Sequence, residues 1–285
     1  MPKKTKSIPV NTMADKFGVG IAIGKASVKD LRTFPEAEHS HRDDYHLFFL
    51  QEKGTSPIEI DFHKHNLNPS SVIYIHPNQV HRIGAFENVT VSFLAINNEN
   101  LNTEYLKLLG DIAPAKQLSL SKEAFSIISQ AVSLCIKLSN RGHGKLYHSL
   151  LKNSCNTLVG LVASQYLEQS KPTDTLSRFE IITKAFKSAL ECDFSTVKSP
   201  IAYAKKLNIS ISYLNECVKN ATGHTLSYHI QQRVILEAKR LLYHSDKSVK
   251  EIAAELGYQD SPYFSRLFTK TTGMTALTFR NKNME

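Results

Sequence analysis

The sequence predicts an α+β multidomain chain. An antiparallel β-barrel with a helical segment behind it is followed by an all-α domain carrying two helix-turn-helix units. Three observations predict this. Residues from about 20 to 95 form short strand-like runs with period-two alternation. Residues from about 101 onward turn to helical spacing. A stretch of about 17 residues near the C-terminus occurs twice, about 50 residues apart.

The composition allows this and narrows the function classes. A chain of 285 residues is long enough for about two domains, and 41% hydrophobic with 21% charged residues describe a soluble globular protein with real cores. No apolar run approaches the ~20 residues of a membrane span. The start, MPKKTKSIPVNTMADKFG, is basic without an apolar run behind it, so residues 1–19 read as a basic tail rather than a signal peptide. Cys135, Cys155, Cys192 and Cys217 have no paired spacing, which argues against disulfides and a zinc site and fits a reducing cytoplasm.

The barrel is expected over residues 20–95. In IEIDF, Ile58, Ile60 and Phe62 alternate with Glu59, Asp61 and His63, while HLFFLQ and SVIYI are strand-like and KGTS (53–56) reads as a turn. Residues 96–171 are helical. Phe125, Ile128, Ala131, Val132, Leu134 and Cys135 share helical spacing, and LYHSLLKNSCNTLVGLVASQYL is apolar on more than one face. Such helices are either core against the barrel or a dimer seam. Lys171-Pro172-Thr173-Asp174 places a linker at 172–177, and the last domain covers 178–285.

In GYQDSPYFSRLFTKTTG (257–273), Phe264, Leu267, Phe268 and Thr271 form one helical stripe, and Pro262, Ser265, Arg266 and Thr269 form another. Upstream, Ser248 and Glu251 have capping-box spacing ahead of Val249, Ile252, Ala253 and Leu256. Two short helices around a glycine turn make a helix-turn-helix candidate, although helical hairpins are common in any all-α core. The copy LNISISYLNECVKNATG (207–223) changes the balance. Tyr213-Leu214 answers Tyr263-Phe264, Thr222-Gly223 answers Thr272-Gly273, and Asn208 answers Gly257. Its inward stripe is Leu214, Cys217, Val218 and Ala221, and its outward stripe is Ser212, Asn215, Glu216 and Lys219. Cys217 reads as a small core residue. The connector, with Ile230, Val234, Ala238, Leu241 and Leu242 in register, would run roughly 26 Å for about 17 residues. That length suits placing two helices in successive major grooves about 34 Å apart. Charge is consistent with a DNA partner but does not establish it. The net charge is +9, and from Pro172 onward 16 Lys and Arg stand against 11 Asp and Glu.

Residues from about 180 to 282 resemble the DNA-binding domain of the AraC family of bacterial transcription regulators, most closely in SVKEIAAELGYQDSPYFSRLFTKTTGMTALTFR. A departure falls at Ala276, where proline is usual, and it is expected to affect a loop. The resemblance implies that the second helix of each unit enters the major groove. It puts Ser212, Asn215 and Glu216 at base edges in the first unit, and Ser261, Pro262, Ser265 and Arg266 in the second, with Gln259 and Asp260 at the turn. Arg266 suits guanine and Asn215 suits adenine. Glu216 either accepts from cytosine or repels phosphate. Lys219, Lys270 and the helix-start N–H groups suit phosphates. Tyr213 and Tyr263 are packing residues or phosphate donors.

Seven of the twelve histidines lie between His39 and His81. The order HSHRDDYH…HPNQVHRI resembles the cupin barrel, a domain common at the N-terminus of AraC-family regulators. His39, His41 and His81 match three positions of a metal cupin, but Tyr45 or His46 stands where a glutamate belongs. The resemblance therefore implies a small-molecule effector pocket without metal or other cofactor, with His41, Tyr45 and His81 as its polar groups. The expected protein is a cytoplasmic, homodimeric, sequence-specific transcription regulator and not an enzyme. Its partners are double-stranded DNA and an effector, with RNA polymerase as a further candidate. The rival is a metal-dependent cupin enzyme with a helical appendage.

Overall fold

The computed structural model describes residues 8–13, 20–27, 39–84, 87–112, 116–142, 144–169 and 177–282. Most of the basic tail and all of the linker except Ser177 lie outside the described residues. The chain divides into two compact units at Pro172/Thr173.

The first unit has a curled seven-stranded antiparallel sheet with helices on one face and a separate two-stranded parallel sheet formed by its first and third strands. Its strands are β1 (Val10–Asn11), β2 (Ile21–Ser27), β3 (Arg42–Asp43), β4 (His46–Ile60), β5 (His63–Leu67), β6 (Ser71–Ile75), β7 (His81–Ile83), β8 (Glu87–Ile96) and β9 (Leu118–Ser119). The principal order is β2-β8-β4-β6-β9, and β5 and β7 also pair with β4. β4 organises the sheet. Its first half pairs with β6 and β8, and its second half pairs with β5 and β7. The expected turn at 53–56 is instead a bend inside this one strand, with register shifts between Gln51 and Thr55. Bulges curve a strand without ending it. Gly54, at φ 69°, sits where a Cβ would lie 2.5 Å from the Asn88 carbonyl, so glycine is required there. The true turn follows Ile60. Asp61 and Phe62 both have positive φ and close a two-residue hairpin in which Ile60 pairs with His63, so Phe62 is not a strand residue.

Both faces of the central strands are buried, which is why HLFFL and SVIYI are continuous apolar runs. Leu47, Phe49, Ile73, Ile75, Val91 and Ala95 pack inside the curl with Ile58, Ile60 and Leu67 from its far side. Phe48, Leu50, Val72, Tyr74, Leu94 and Ile96 face the helices. Those helices are α1 (Thr103–Ile112), α2 (Lys122–Arg141) and α3 (Tyr147–Gln169). α2 buries Ile128, Val132 and Cys135, but Leu134 is 51% exposed and lies off the stripe expected for it. Cys135 and Cys155 are buried free thiols in hydrogen-bond contact between α2 and α3. On α3, buried Asn156 accepts from Asn102 N and donates to the Asn100 carbonyl, pinning the loop before α1.

The second unit is all helical: α4 (Arg178–Asp193), α5 (Pro200–Lys206), α6 (Ile211–Thr222), α7 (Leu226–His244), α8 (Val249–Glu255), α9 (Ser261–Thr272) and α10 (Ala276–Lys282). The α5–α6 and α8–α9 pairs are the two helix-turn-helix units. Ser248 and Glu251 make the capping box expected at α8, and Ser177 and Glu180 make another at α4. Each second helix buries three of its four expected inward residues: Leu214, Cys217 and Val218 in α6, and Phe264, Leu267 and Phe268 in α9. The fourth members differ, since Ala221 is exposed and Thr271 half-buried, because the helices leave the core at their last turn. Ala276 does not sit in a loop. It is the first, buried residue of α10, a position that tolerates proline because the N–H there needs no intrahelical partner.

The repeated pairs have identifiable local causes. Asn208 (φ 53°) and Gly257 (φ 77°) both hold left-handed turns. In each Thr-Gly pair the threonine hydroxyl donates to the carbonyl four residues back, Thr222 to Val218 at 2.6 Å and Thr272 to Phe268 at 2.9 Å. Gly223 and Gly273 then take the αL conformation that ends each helix. The 19-residue α7 is about 28 Å long at 1.5 Å per residue. It buries Glu237, which accepts from Arg240 at 2.8 Å and Arg233 at 3.4 Å, and Arg233 also bonds Glu191 at 2.7 Å. This ion network was not read from the apolar spacing of the connector.

Candidate nucleic-acid interface

The inward residues of α6 and α9 fix which residues face out. On α6, Ser212, Glu216 and Lys219 are exposed, while Tyr213 and Asn215 are half-buried. Around α9, Gln259, Asp260, Pro262, Tyr263, Arg266 and Lys270 are exposed, and Ser261 and Ser265 are half-buried. The residues named for DNA contact thus form two outward faces of similar layout and different chemistry: Asn215 and Glu216 in one, Ser265 and Arg266 in the other.

Several of these groups already have structural work. Asn215 Oδ1 accepts from Leu226 N at 3.1 Å, tying α6 to the start of α7. A bidentate contact to adenine needs that same oxygen. Asp260 caps α9 by accepting from Tyr263 N at 3.2 Å, and Ser210 caps α6 by accepting from Tyr213 N at 3.2 Å. These N–H groups are therefore engaged within the protein. Tyr263 stacks on Tyr258 at 6.1 Å, and the Arg178 guanidinium lies 5.8 Å from the Tyr213 ring centre. Burial pushes the Tyr258 hydroxyl up to about 12 and the Lys198 ammonium down to about 8. Lys198 lies over the Tyr258 ring at 5.3 Å and donates to the Phe194 carbonyl at 2.5 Å. Arg178 and Lys198 lie outside the repeated stretch, so comparing the two copies could not find them.

The barrel residues divide into separate groups. His41 and His81 are buried and adjacent, with ring centres 4.4 Å apart and reciprocal backbone hydrogen bonds. Asp43 joins them. Its carboxylate oxygens lie 3.8 Å from His41 Nε2 and 3.4 Å from His81 Nε2. Burial and the neighbouring His41 pull the His81 imidazole down to about 4, against the opposing pull of Asp43. Tyr45 packs in the apolar interior. His46, one residue on, points to the opposite face, where its Nδ1 accepts from Tyr74 Oη at 2.8 Å and its Nε2 donates to Asn98 Oδ1 at 2.7 Å. It cannot serve as a fourth ligand beside His41. His39 is exposed and bonds the cluster through its carbonyl, which accepts from His41 Nδ1 at 2.8 Å. The readable signal for Asp43 was spacing: His41 and Asp43 are two apart on an extended chain and so project to one side.

Two helix-turn-helix units with seated inner faces and polar outer faces define a DNA-binding protein. Residues 203–282 match the family described as helix-turn-helix domain. The transcriptional activator RhaR of Mannheimia succiniciproducens is 22% identical over 250 residues, covering 85% of this chain and 87% of that protein. RhaR of Salmonella heidelberg is 29% identical over 160 residues, covering 54% of this chain and 55% of that protein. The second alignment thus spans about half the length of that relative. The crystal structure of ToxT from Vibrio cholerae is similar to 92% of this chain over 97% of its own, at 15% identity and TM-score 0.41. The chain thus carries a helix-turn-helix domain and is similar to helix-turn-helix transcriptional activators.

Proposed function

We propose that this regulator reads DNA sequence through two non-equivalent faces, α6 and α9, and that its barrel is the sensing half. The carrying observation is the seating of both helices by equivalent buried residues, which leaves Ser212, Tyr213, Asn215, Glu216 and Lys219 on one and Ser261, Pro262, Tyr263, Ser265, Arg266 and Lys270 on the other to face a groove. Gln259 and Asp260 flank the second face. Arg266 reads guanine, and Lys219 and Lys270 hold phosphates. The division of labour follows the barrel at 20–95, the helical segment at 96–171 and the reader at 178–285.

The helical segment supports a homodimer. Ile127, Leu134, Leu146 and Leu150 are each at least 46% exposed on or between α2 and α3. A small-molecule effector is taken to enter the barrel at His41, Tyr45 and His81, of which His41 and His81 are adjacent and buried and Tyr45 packs in the apolar interior. The chain is a cytoplasmic regulator and not an enzyme, which its relatives' names as transcriptional activators support. Among the described residues no helix is long and apolar enough to cross a membrane. RNA polymerase is a further partner of this reading.

Selection of binding sites from a random duplex pool tests it. A recovered motif bound about 10³-fold or more above random duplex is expected. Equal binding of selected and random duplexes would refute sequence reading.

A further inference from the structure

We infer that His41, Asp43 and His81 form a binding site for one divalent transition-metal ion. The inference goes beyond the effector reading, and the site stands on its own geometry. The three residues are 8%, 3% and 2% exposed. Their ligand atoms all lie within 4.8 Å of one another.

The hydrogen bonds decide what the cluster presents. His41 Nδ1 lies 2.8 Å from the His39 carbonyl and His81 Nδ1 lies 3.1 Å from the Gln79 carbonyl. A carbonyl only accepts, so each Nδ1 carries a proton, and the neutral form of each ring then offers a bare Nε2. Both Nε2 atoms face the Asp43 carboxylate, which also only accepts. Three acceptors therefore converge in a buried space, an arrangement that a cation satisfies. Bonding the far ring nitrogen to a backbone carbonyl is also how metal-ligating histidines are commonly oriented. On the carboxylate side, Asn11 Nδ2 donates to Asp43 Oδ1 at 3.0 Å, supplying an orienting partner from β1.

The spacing fits. Metal bonds of about 2.1 Å in tetrahedral geometry separate ligand atoms by about 3.4 Å, and Asp43 lies 3.4 Å from His81 Nε2 and 3.8 Å from His41 Nε2. Two imidazoles and one carboxylate suit zinc, iron, nickel or copper, whereas calcium and magnesium favour oxygen cages. Three protein ligands leave a further position open to water or a small molecule. The site differs from the ligand set suggested by sequence resemblance: Asp43 supplies the carboxylate, and the His39 ring is outside the cluster.

The test uses the full chain, purified without a histidine tag and stripped with chelator, then titrated with Co²⁺ by visible absorption and with Zn²⁺ by calorimetry. One ion per chain is expected. Asp43→Asn and His41→Gln should each weaken binding at least about tenfold, and Asn11→Ala should weaken it by about 10–100-fold as an orienting residue. His63→Ala with His65→Ala should leave it unchanged. X-ray absorption of the Zn²⁺-loaded wild type needs no variant to fold, and it should show two imidazoles with oxygen ligands. No saturable binding of Co²⁺ or Zn²⁺, unaltered affinity in both Asp43→Asn and His41→Gln, or a shell of sulfur or more than two imidazoles would overturn the assignment. Selected-duplex binding on the same preparation separates failure of the metal site from failure of the regulator reading.

Discussion

A Cβ placed on Gly257 would lie 2.3 Å from the carbonyl oxygen of Ser195. The turn of the second helix-turn-helix unit thus rests directly on the loop between α4 and α5, which belongs to the first. Lys198 from the same loop covers Tyr258, the residue after the glycine. This contact joins the two reading units independently of α7.

Gly257→Ala should therefore do more than strain one backbone position. The left-handed φ of 77° costs a non-glycine residue about 1–2 kcal/mol. Displacing the Ser195 loop adds roughly 1–3 kcal/mol. Gly223→Ala is the control, because it has the same φ of 77° and open space around its Cβ. Urea unfolding should show the larger loss for Gly257→Ala, and its affinity for a selected duplex should fall further at a temperature where both variants are folded. Equal losses would mean that the Ser195 contact couples nothing.

Asn215 carries two separable roles. Its Oδ1 accepts from Leu226 N, while its Nδ2 remains a donor toward a base. Asn215→Asp keeps the acceptor and Asn215→Ala removes both groups. The alanine variant should lose about 1 kcal/mol of stability and the aspartate variant much less. Both should alter base preference at the position read by α6. If the aspartate variant keeps the wild-type preference in a selection experiment, Asn215 is a structural residue only.

Much of the reading domain was legible because its information is local. Periodicity located the inward residues of α6 and α9, Ser248 with Glu251 announced a cap, and the Asn208–Gly257 correspondence marked two left-handed turns. What escaped was produced by distant parts of the chain meeting. Glu237 looked like an ordinary helical charge until its partners Arg233, Arg240 and Glu191 were placed around it. In the barrel, Lys53–Ser56 carried turn composition, but pairing with β8 on both sides of the bulges kept β4 continuous. Asp43 was not singled out because the cupin resemblance, which already grouped His41 with His81, puts its carboxylate at Tyr45 or His46, whereas the fold brings Asp43 within 3.4 Å of His81 Nε2. His46 shows the converse: adjacent to Tyr45, it faces the other side of the strand.

That placement makes His46 a source of acid sensitivity. Burial, with a smaller contribution from His76, lowers its imidazole to about 4 from the usual 6.5, against the raising effect of its bond to Asn98. The unfolded chain binds the proton first, so between pH 6.5 and 4 it holds more protons than the folded chain. Stability from this group is complete above about 6.5 and falls as pH drops toward 4, at up to about 1.4 kcal/mol per pH unit. His46→Gln should reduce the pH slope of urea-unfolding free energy in that window. An unchanged slope would place the acid sensitivity elsewhere.

Arg266 and Lys270 lie on the same exposed side of α9, one turn apart, and the reading proposed for them differs in kind. A guanidinium can donate two parallel hydrogen bonds to guanine O6 and N7, a geometry an ammonium cannot reproduce, whereas either charge serves a phosphate. Arg266→Ala should cost roughly 1–3 kcal/mol on the selected duplex and relax preference at one base position. Arg266→Lys should recover little of that preference. Lys270→Ala should weaken selected and unrelated duplexes about equally and lower the dependence of log K on log salt by about 1. Binding assays on two duplexes at several salt concentrations separate these outcomes. Should Arg266→Ala weaken both duplexes alike while Arg266→Lys restores wild-type behaviour, the side chain is holding phosphate and base reading by α9 falls to Ser265 and its neighbours.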